Sequence, residues 1–369
     1  MTIRVLHYLR NLGLGGTEKT CQLFFENAGR DFEVALVHES TGDMTRLEEF
    51  QKARRVSGGQ IYRINSYRNP DGTPNPQATP TSEGLQGAID HFQPDILHVY
   101  RSGYAEFPVG QVEVPHVVET NVFGHLDADR RIDRTLFMSK WLMDKSLRGV
   151  QIPASLADRF DYVNNPVEMP YTDNKLFSFS SDAIWLGRCG RPDNGIYNSV
   201  SVEAVRLLRM QGYDVRFVVA APPSNMIEDL ARYDIPFKMV EPTTNPLVLS
   251  QFYNSIDIYA HARADGETFG VNIAEAMIHG KPVVTHIATP SNSNMGVFQS
   301  QTELVDDGET GYVVNNDPSE YAEALRRLID SPKTREQMGY AAIVKATREY
   351  HTDACQKKLE RIYREVVNE

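Results

Sequence analysis

The chain has 369 residues, of which 41% are hydrophobic and 24% are charged, and its formal net charge is −11. This length exceeds one compact core, so two domains are expected, and no apolar run reaches the roughly 18 residues of a membrane span. An acidic chain is a poor candidate for nucleic-acid binding, which draws on a basic surface. The widely spaced Cys21, Cys189 and Cys355 form neither a zinc pattern nor a disulfide framework. We therefore expect a folded cytoplasmic protein without a metal site.

Short β-branched runs alternate with longer helical patterns, which predicts parallel sheets built from βαβ units. Strands are predicted at residues 3–9, 32–38, 95–99, 115–119 and 135–138, then at 183–187, 215–220, 257–260, 282–286 and 311–314. The aperiodic segment 163–174, rich in Asn, Pro and Asp, is predicted to be a linker. We place one Rossmann-like domain at residues 1–168 and a second at 169–350.

Four further stretches carry weaker predictions. Residues 351–369 show an amphipathic helical pattern and are expected to pack back on the first domain. Residues 65–84 are predicted to form a mobile surface loop rather than a binding lid. Residues 287–301 would lie at the carboxyl edge of the second sheet, where sugar contact is one possibility. Residues 129–149 mix basic, acidic and apolar side chains, which favours a solvated face over peripheral membrane contact.

A glycine-rich turn follows the first predicted strand. Gly13, Gly15 and Gly16 precede a helix for which Thr17 is a candidate cap. Such a turn either binds an anion at the helix N-terminus or simply makes a tight connection. The spacing G-x-G-x-x-G is not met, which disfavours a nicotinamide-dependent oxidoreductase.

A second polar loop leads into a helix and a buried strand at residues 262–286. Glu267 precedes the helix and Glu275 lies inside it, so both carboxylates could contact one elongated ligand. Gly270, Val271 and Asn272 would offer backbone N–H groups to a sugar phosphate at the helix start. Either glutamate alone would be an ordinary solvated charge, but the order of the whole segment favours a paired-carboxylate site.

The segment E-T-F-G-V-N-I-A-E-A-M-x-x-G-K-P-V-V resembles the E-x7-E block of family 4 of the retaining GT-B glycosyltransferases. Further stretches occur in the order typical of that family, namely G-G-x-E-K at 15–19, D-I-L-H-V at 95–99, S-K-W-L at 139–142, N-N-P-V-E at 164–168, L-G-R at 186–188 and E-L-V-x-D-G-x-T-G-Y-V-V at 303–314. The resemblance covers nearly the whole chain. It implies the GT-B fold, with two Rossmann-like, doubly wound parallel-sheet domains facing a central cleft.

The resemblance also implies an activity, which is metal-independent transfer of a sugar, with retention of configuration, from a nucleoside-diphosphate sugar to an acceptor. The acceptor would be a sugar, a lipid or another small molecule. Glu267 would bind the transferred sugar, Arg188 would pair with the diphosphate, and Glu275 would hold the ribose hydroxyls. The remaining donor-binding positions implied by the family are Gly15, Gly16, Phe269, Gly270, Val271 and Asn272. No cofactor and no nucleic-acid partner are implied.

Two positions depart from the family pattern. Asn194 stands where relatives carry a second phosphate-binding lysine, and Arg191 is the expected substitute. In the first domain, many relatives carry a histidine after the strand that faces the sugar, whereas this chain has Asn121 there and His125 four residues later. Either residue could face the acceptor or the sugar. The missing lysine keeps open a catalytically weak or silent nucleotide-sugar-binding module, and an epimerase or hydrolase would use similar donor contacts.

Overall fold

A computed structural model describes residues 2–39, 43–65, 84–103, 109–126, 131–179, 183–290 and 296–368. Within it the chain forms two compact units. The first consists of Met1–Pro166 and Thr352–Glu369, and the second of Val167–His351. Most of the loop predicted at 65–84, and parts of the stretches at 129–149 and 287–301, lie outside the described residues.

The first unit contains a parallel sheet of seven strands in the order β3-β2-β1-β4-β5-β6-β7. Its strands are β1 Ile3–Leu9, β2 Phe32–Glu39, β3 Gln60–Ile64, β4 Ile96–Arg101, β5 His116–Asn121, β6 Arg134–Phe137 and β7 Phe160–Tyr162. Its helices are α1 Gly16–Glu26, α2 Leu47–Ser57, α3 Leu85–Phe92, α4 Lys140–Leu147 and α12 Thr352–Asn368. The central strands are almost continuously buried because helices cover both faces of the sheet.

The second unit contains a parallel sheet of six strands in the order β10-β9-β8-β11-β12-β13. Its strands are β8 Ile184–Cys189, β9 Val215–Ala220, β10 Phe237–Val240, β11 Ile258–Ala260, β12 Val283–His286 and β13 Gly311–Val314. Its helices are α5 Val200–Met210, α6 Ser224–Arg232, α7 Pro246–Asn254, α8 Val271–Ile278, α9 Gln301–Leu304, α10 Pro318–Asp330 and α11 Pro332–Glu349.

Each sheet has one point at which the direction of strand order reverses. It lies between β1 and β4 in the first unit and between β8 and β11 in the second. In open α/β sheets the crevice at the carboxyl ends of these strands is the usual ligand site. In the second unit the two loops that border it are tied together, because the Ala264 amide donates to the Ile196 carbonyl at 3.1 Å. Tyr197 and Arg263 form a further antiparallel bridge.

Helix α12 completes the core of the first unit. Its residues Cys355, Leu359, Ile362, Tyr363 and Val366 are buried in the same apolar cluster as the inner residues of β1, β2 and α1. The predicted amphipathic pattern is therefore used to cover the first sheet. Among the described helices, none combines the length and the apolar character needed to cross a membrane.

Candidate functional site

Arg188 lies near the end of β8, next to the switch point of the second sheet. The residue is 4% exposed, and one guanidinium nitrogen, Nη2, approaches the Ala262 carbonyl at 3.5 Å. Nε and Nη1 are buried and have no hydrogen-bond partner among the described residues. Burial lowers the pKa of Arg188, although the nearby Tyr259, Cys189, Tyr197 and Glu267 act in the opposite direction. A buried cation with unused donors is suited to receive an anion.

Glu267 lies in the loop after β11, and both of its carboxylate oxygens are engaged. Oε1 lies 3.2 Å from His261 Nε2, and Oε2 accepts from Arg263 Nη1 at 3.4 Å. Burial would raise the pKa of Glu267, but the charge of Arg263 and the hydrogen bond with His261 outweigh it, so the pKa lies below its usual value. The carboxylate is therefore ionised at neutral pH and held in one orientation.

The backbone of this loop is held by hydrogen bonds to the start of α9. The Glu267 amide donates to Gln301 Oε1 at 3.0 Å, and the Ser300 amide donates to the Glu267 carbonyl at 3.0 Å. Gly266 has a φ of +71°, and a Cβ at this position would lie 1.8 Å from the Phe298 carbonyl oxygen. Glycine is therefore required where the two segments approach most closely.

Glu275 lies on α8 and is 8% exposed. The buried Tyr253 hydroxyl donates to Glu275 Oε2 at 2.7 Å. Burial and the neighbouring Glu275 carboxylate raise the pKa of Tyr253 well above its usual value, so the hydroxyl keeps its proton. The second carboxylate of the site is therefore oriented by a fixed donor.

Helix α8 is attached to the end of β8 through a side chain. Asn272 Nδ2 donates to the Cys189 carbonyl at 2.7 Å, and the Tyr259 hydroxyl donates to the same oxygen at 3.0 Å. Gly270 caps the helix with a φ of +105°, and Val271 is its first residue. Phe269 is buried edge-on against Tyr350, so its side chain belongs to the core and only its backbone could line a ligand. The structure thus brings Arg188, Glu267, Asn272 and Glu275 to one sheet edge.

Asn194 serves a structural purpose. Its Nδ2 donates to Ser224 Oγ at 2.9 Å, and its Oδ1 accepts from the Asn225 amide at 3.1 Å at the start of α6. Arg191, by contrast, is exposed, and its charge is one of the influences that lower the pKa of Glu267. The charge of Arg191 therefore acts on the Glu267 carboxylate.

In the first unit, the glycine turn is held by the segment that precedes α2. The Leu12 amide donates to the Asp43 carbonyl at 2.8 Å, and Arg46 Nε donates to the Gly13 carbonyl at 3.2 Å. The prediction that Thr17 caps α1 is wrong. The helix begins at Gly16, and its N-cap is Gly15, which is extended and has no side chain to cap the first turn.

Asn121 and His125 close a turn at the end of β5. Asn121 Nδ2 donates to the His125 carbonyl at 2.7 Å, and its Oδ1 accepts from the Gly124 amide at 2.7 Å. Asn121 is fully buried and His125 is exposed. The amide of Asn121 is therefore committed to the turn, and the exposed imidazole of His125 is the better placed of the two to meet a ligand.

Four residues that contact the two glutamates were not predicted from the sequence. They are Tyr253, His261, Arg263 and Gln301. Their contacts join α7, the end of β11 and α9, which are brought together only by the fold. The dense run of His, Arg and Asp just before Glu267 is the one local signal that could have indicated them. Among the described residues, no group of three or more His, Cys, Asp or Glu could hold a metal ion.

Comparison with known proteins finds similarity in the second unit. Residues 181–331 match the family model described as "Glycosyl transferases group 1". The match covers about two fifths of the chain and lies within the second unit. The D-inositol 3-phosphate glycosyltransferase of Corynebacterium diphtheriae is 35% identical over 119 residues, which are 32% of this chain and 25% of that protein. The matched region thus spans about a quarter of the length of this curated relative.

Solved structures match over almost the entire length of the chain. A glycosyltransferase of Rickettsia africae has a TM-score of 0.75 at 14% identity and covers 99% of both chains. HepE of Anabaena in complex with UDP and glucose has a TM-score of 0.70 at 13% identity, covering 98% of this chain and 99% of that one. The predicted α/β architecture with two Rossmann-like parallel sheets is therefore confirmed, and the fold is that of the GT-B glycosyltransferases.

Proposed function

We propose that the protein is a glycosyltransferase that moves a sugar from a nucleoside-diphosphate sugar to an acceptor with retention of anomeric configuration. The observation that carries the proposal is the buried guanidinium of Arg188 at the switch point, next to the oriented carboxylate of Glu267. Two of its nitrogens have no hydrogen-bond partner among the residues described. The group 1 family match supports the reaction class, and the UDP bound to HepE supports the donor class.

In this proposal, Arg188 binds the diphosphate and stabilises the charge that develops on it when the bond from the sugar C1 to the phosphate oxygen breaks. Glu267 binds hydroxyls of the transferred sugar. The acceptor oxygen bonds to C1 on the face that the phosphate leaves, and its proton passes to the departing diphosphate. The protein supplies orientation and charge, and no covalent intermediate on a side chain is invoked.

The other roles follow the same proposal. Glu275 holds the ribose hydroxyls, and the α8 start at Gly270, Val271 and Asn272 offers backbone donors. Arg191 supplies the second phosphate cation, because Asn194 is committed to α6. Backbone groups of Gly15 and Gly16, together with Phe269, line the donor, while Asn121 and His125 are assigned to the acceptor or sugar side. The proposed reaction requires no metal and takes place in the cytoplasm.

The test is calorimetric titration of a panel of nucleoside diphosphates and their sugars in excess chelator, followed by transfer and hydrolysis assays with any ligand that binds. Glu275→Ala is expected to weaken nucleotide binding about tenfold or more, because charged hydrogen bonds to the ribose are lost. Glu309→Ala, at an exposed glutamate of the same unit, is the matched control. Equal affinity of the Glu275 variant and the wild type would remove the ribose assignment.

Two alternatives give distinct results in the same assays. Binding without turnover would indicate a silent nucleotide-sugar-binding module, a reading that the absence of a lysine at Asn194 favours. Turnover of the donor without an acceptor would indicate a hydrolase or an epimerase. Chelator-resistant transfer to an added acceptor supports the proposed transferase.

A further inference from the structure

Each site carboxylate is backed by a buried side chain that is itself shielded from solvent. His261 is 3% exposed and lies behind Glu267, and Tyr253 is 1% exposed and lies behind Glu275. Neither belongs to the set of residues to which the proposed function assigns a ligand contact. Both are buried and each forms a hydrogen bond with one carboxylate, so we look for one role that explains both.

The hydrogen-bond network fixes the direction of the proton on His261. An ionised Glu267 can only accept, so Nε2 carries the proton that is donated to Oε1 at 3.2 Å. Nδ1, on the opposite side of the ring, then accepts from Thr285 Oγ1 at 2.8 Å. Thr285 is fully buried on β12. The chain from Thr285 through His261 to Glu267 therefore connects a rigid strand to a carboxylate in a loop.

Tyr253 plays the equivalent part for Glu275 from a different element. Its ring lies on α7 with its centroid 5.0 Å from that of the tilted His279 ring, while its hydroxyl donates to Glu275 Oε2 at 2.7 Å. The next acceptor, the Asn272 carbonyl, lies farther away at 3.2 Å. The single hydroxyl proton is therefore directed at the carboxylate.

We propose that His261 and Tyr253 are positioning residues. His261 sets the rotamer of the sugar-binding Glu267, and Tyr253 independently sets the rotamer of the ribose-binding Glu275. This inference rests on the proposed function for the identity of the two ligand parts. The separation follows from the structure, because the two donors come from different elements and contact different carboxylates.

The charged and titratable groups that face Glu267 are His261, Arg263, Arg191, Arg188 and Tyr259. Among the residues that the structure describes, only His261 and Arg263 form hydrogen bonds with its carboxylate. Arg263 is also bound by Asp265 at 2.7 Å, so its position does not depend on His261. Removal of the imidazole donor should thus free one carboxylate oxygen while the ion pair stays in place.

The first experiment compares binding of UDP and UDP-glucose by calorimetry. His261→Asn keeps a polar group near Thr285 but does not reach Glu267, and we expect unchanged UDP affinity with UDP-glucose affinity reduced roughly tenfold. His261→Gln, whose amide reaches the Nε2 position, should restore UDP-glucose affinity. Tyr253→Phe should weaken both ligands to a similar extent. Tyr213→Phe is the matched control. Tyr213 precedes β9 at the amino edge of the sheet, away from the site, and its hydroxyl donates to Asp330 at 3.1 Å.

Equal loss of both ligands in His261→Asn, or wild-type affinity for both in His261→Asn and Tyr253→Phe, would overturn the inference. A second measurement needs no ligand, and so separates this inference from the proposed function. Glutamate-labelled protein is titrated by carbon NMR, with Glu267→Gln used to assign the signal. We expect the pKa of Glu267 to rise in His261→Asn and to return in His261→Gln. An unchanged titration in His261→Asn would reject the positioning role even if no nucleotide binds.

Discussion

At the scale of single residues, the site contains two arginines that differ in how many of their hydrogen-bond donors are used. Arg188 is buried, and two of its guanidinium nitrogens have no hydrogen-bond partner in the described part of the chain. Arg263 on the neighbouring loop is paired with both Asp265 and Glu267. A buried charge without a partner costs folding free energy, and an anionic ligand would remove that cost. The contrast between the two arginines therefore supports the proposed assignment of Arg188, rather than Arg263, to the diphosphate.

Arg188→Met should separate binding from stability. We expect nucleoside-diphosphate affinity to fall at least about tenfold, because the buried charged donors are lost. The free energy of unfolding should stay the same or rise by about 1 kcal/mol, because an apolar chain of similar volume replaces an unpaired buried cation. Urea unfolding and calorimetry measure the two quantities. Marked destabilisation of Arg188→Met would show that the guanidinium has a structural role instead.

Asn194→Lys tests the departure from the family pattern at a second residue. Because Asn194 bonds to Ser224 and to the Asn225 amide at the start of α6, we expect the lysine variant to lose about 1 kcal/mol of stability, as for a lost helix cap. Diphosphate affinity should not improve, whereas Arg191→Ala should reduce it. Stronger binding by Asn194→Lys, measured by calorimetry, would show that the phosphate site lacks a cation that Arg191 does not supply.

At the scale of elements, the loop from β11 to α8 depends on close backbone approach. Gly266 and Gly308 both have left-handed φ values, +71° and +78°, but only Gly266 faces an obstacle, the Phe298 carbonyl oxygen. Alanine at either position carries the cost of the left-handed conformation, about 1–2 kcal/mol. Any additional effect at Gly266 must therefore come from displacement of the loop that holds Glu267.

Gly266→Ala is accordingly expected to be more destabilising than Gly308→Ala and to weaken donor binding as well. A Cβ 1.8 Å from a carbonyl oxygen cannot be accommodated without movement of the 263–270 loop, whereas no atom lies within 4 Å of a Cβ on Gly308. Thermal unfolding and nucleotide-sugar titration of the two variants provide the comparison. Similar effects of both substitutions would mean that the loop yields without disturbing Glu267.

The elements that sequence patterns failed to predict share a position in the sheets. Strands β3, β7 and β10 were not predicted, and each lies at a sheet edge. An edge strand pairs on one side only and is partly open to solvent, so it lacks the continuous apolar run that marks a central parallel strand. In β10 the residues Lys238 and Met239 are exposed, and in β3 the pattern is mostly exposed or half-buried. The central strands were predicted because burial on both faces constrains their composition.

A similar distinction applies to the site. Arg188, Glu267 and Glu275 follow from local motifs, and the structure places them at the carboxyl edge of one sheet. His261 and Tyr253 could not be predicted as their partners, because a hydrogen bond between a strand end or α7 and a carboxylate depends on how separate elements pack. Likewise, the assignment of Asn194 to α6 depends on Ser224, thirty residues away in the sequence.

At the scale of the whole molecule, the chain forms two units with separate cores, and it enters the second after Pro166 and returns to the first at Thr352. Both cores contain buried histidines. His7 bonds to Tyr100, and His98 bonds to Thr120 and Tyr363, in the first unit, while His286 accepts the Arg263 amide in the second. These imidazoles are buried in the neutral form, and protonation of His286 would remove the Nε2 acceptor of the Arg263 amide.

Burial lowers the pKa of His7 from 6.5 to about 3 and that of His286 from 6.5 to about 4, and it also lowers the pKa of His98. Between the folded and unfolded values, the unfolded chain binds protons that the folded chain does not. The stability from neutral burial is therefore complete above about pH 6.5 and declines as the pH falls, by up to ~1.4 kcal/mol per pH unit for each histidine. Glu267, whose pKa is also lowered, acts in the same direction only at more acidic pH.

We therefore expect the free energy of unfolding to fall between about pH 7 and pH 5, in a range where ordinary carboxylates remain ionised. Urea unfolding at several pH values measures this slope. His286→Gln should reduce this slope, because one buried imidazole of lowered pKa is then removed. His91→Gln, at an exposed histidine of α3, serves as the control. If His286→Gln and the wild type show the same slope, protonation of His286 is not coupled to unfolding, and its neutral role beneath the Glu267 loop would have to be abandoned.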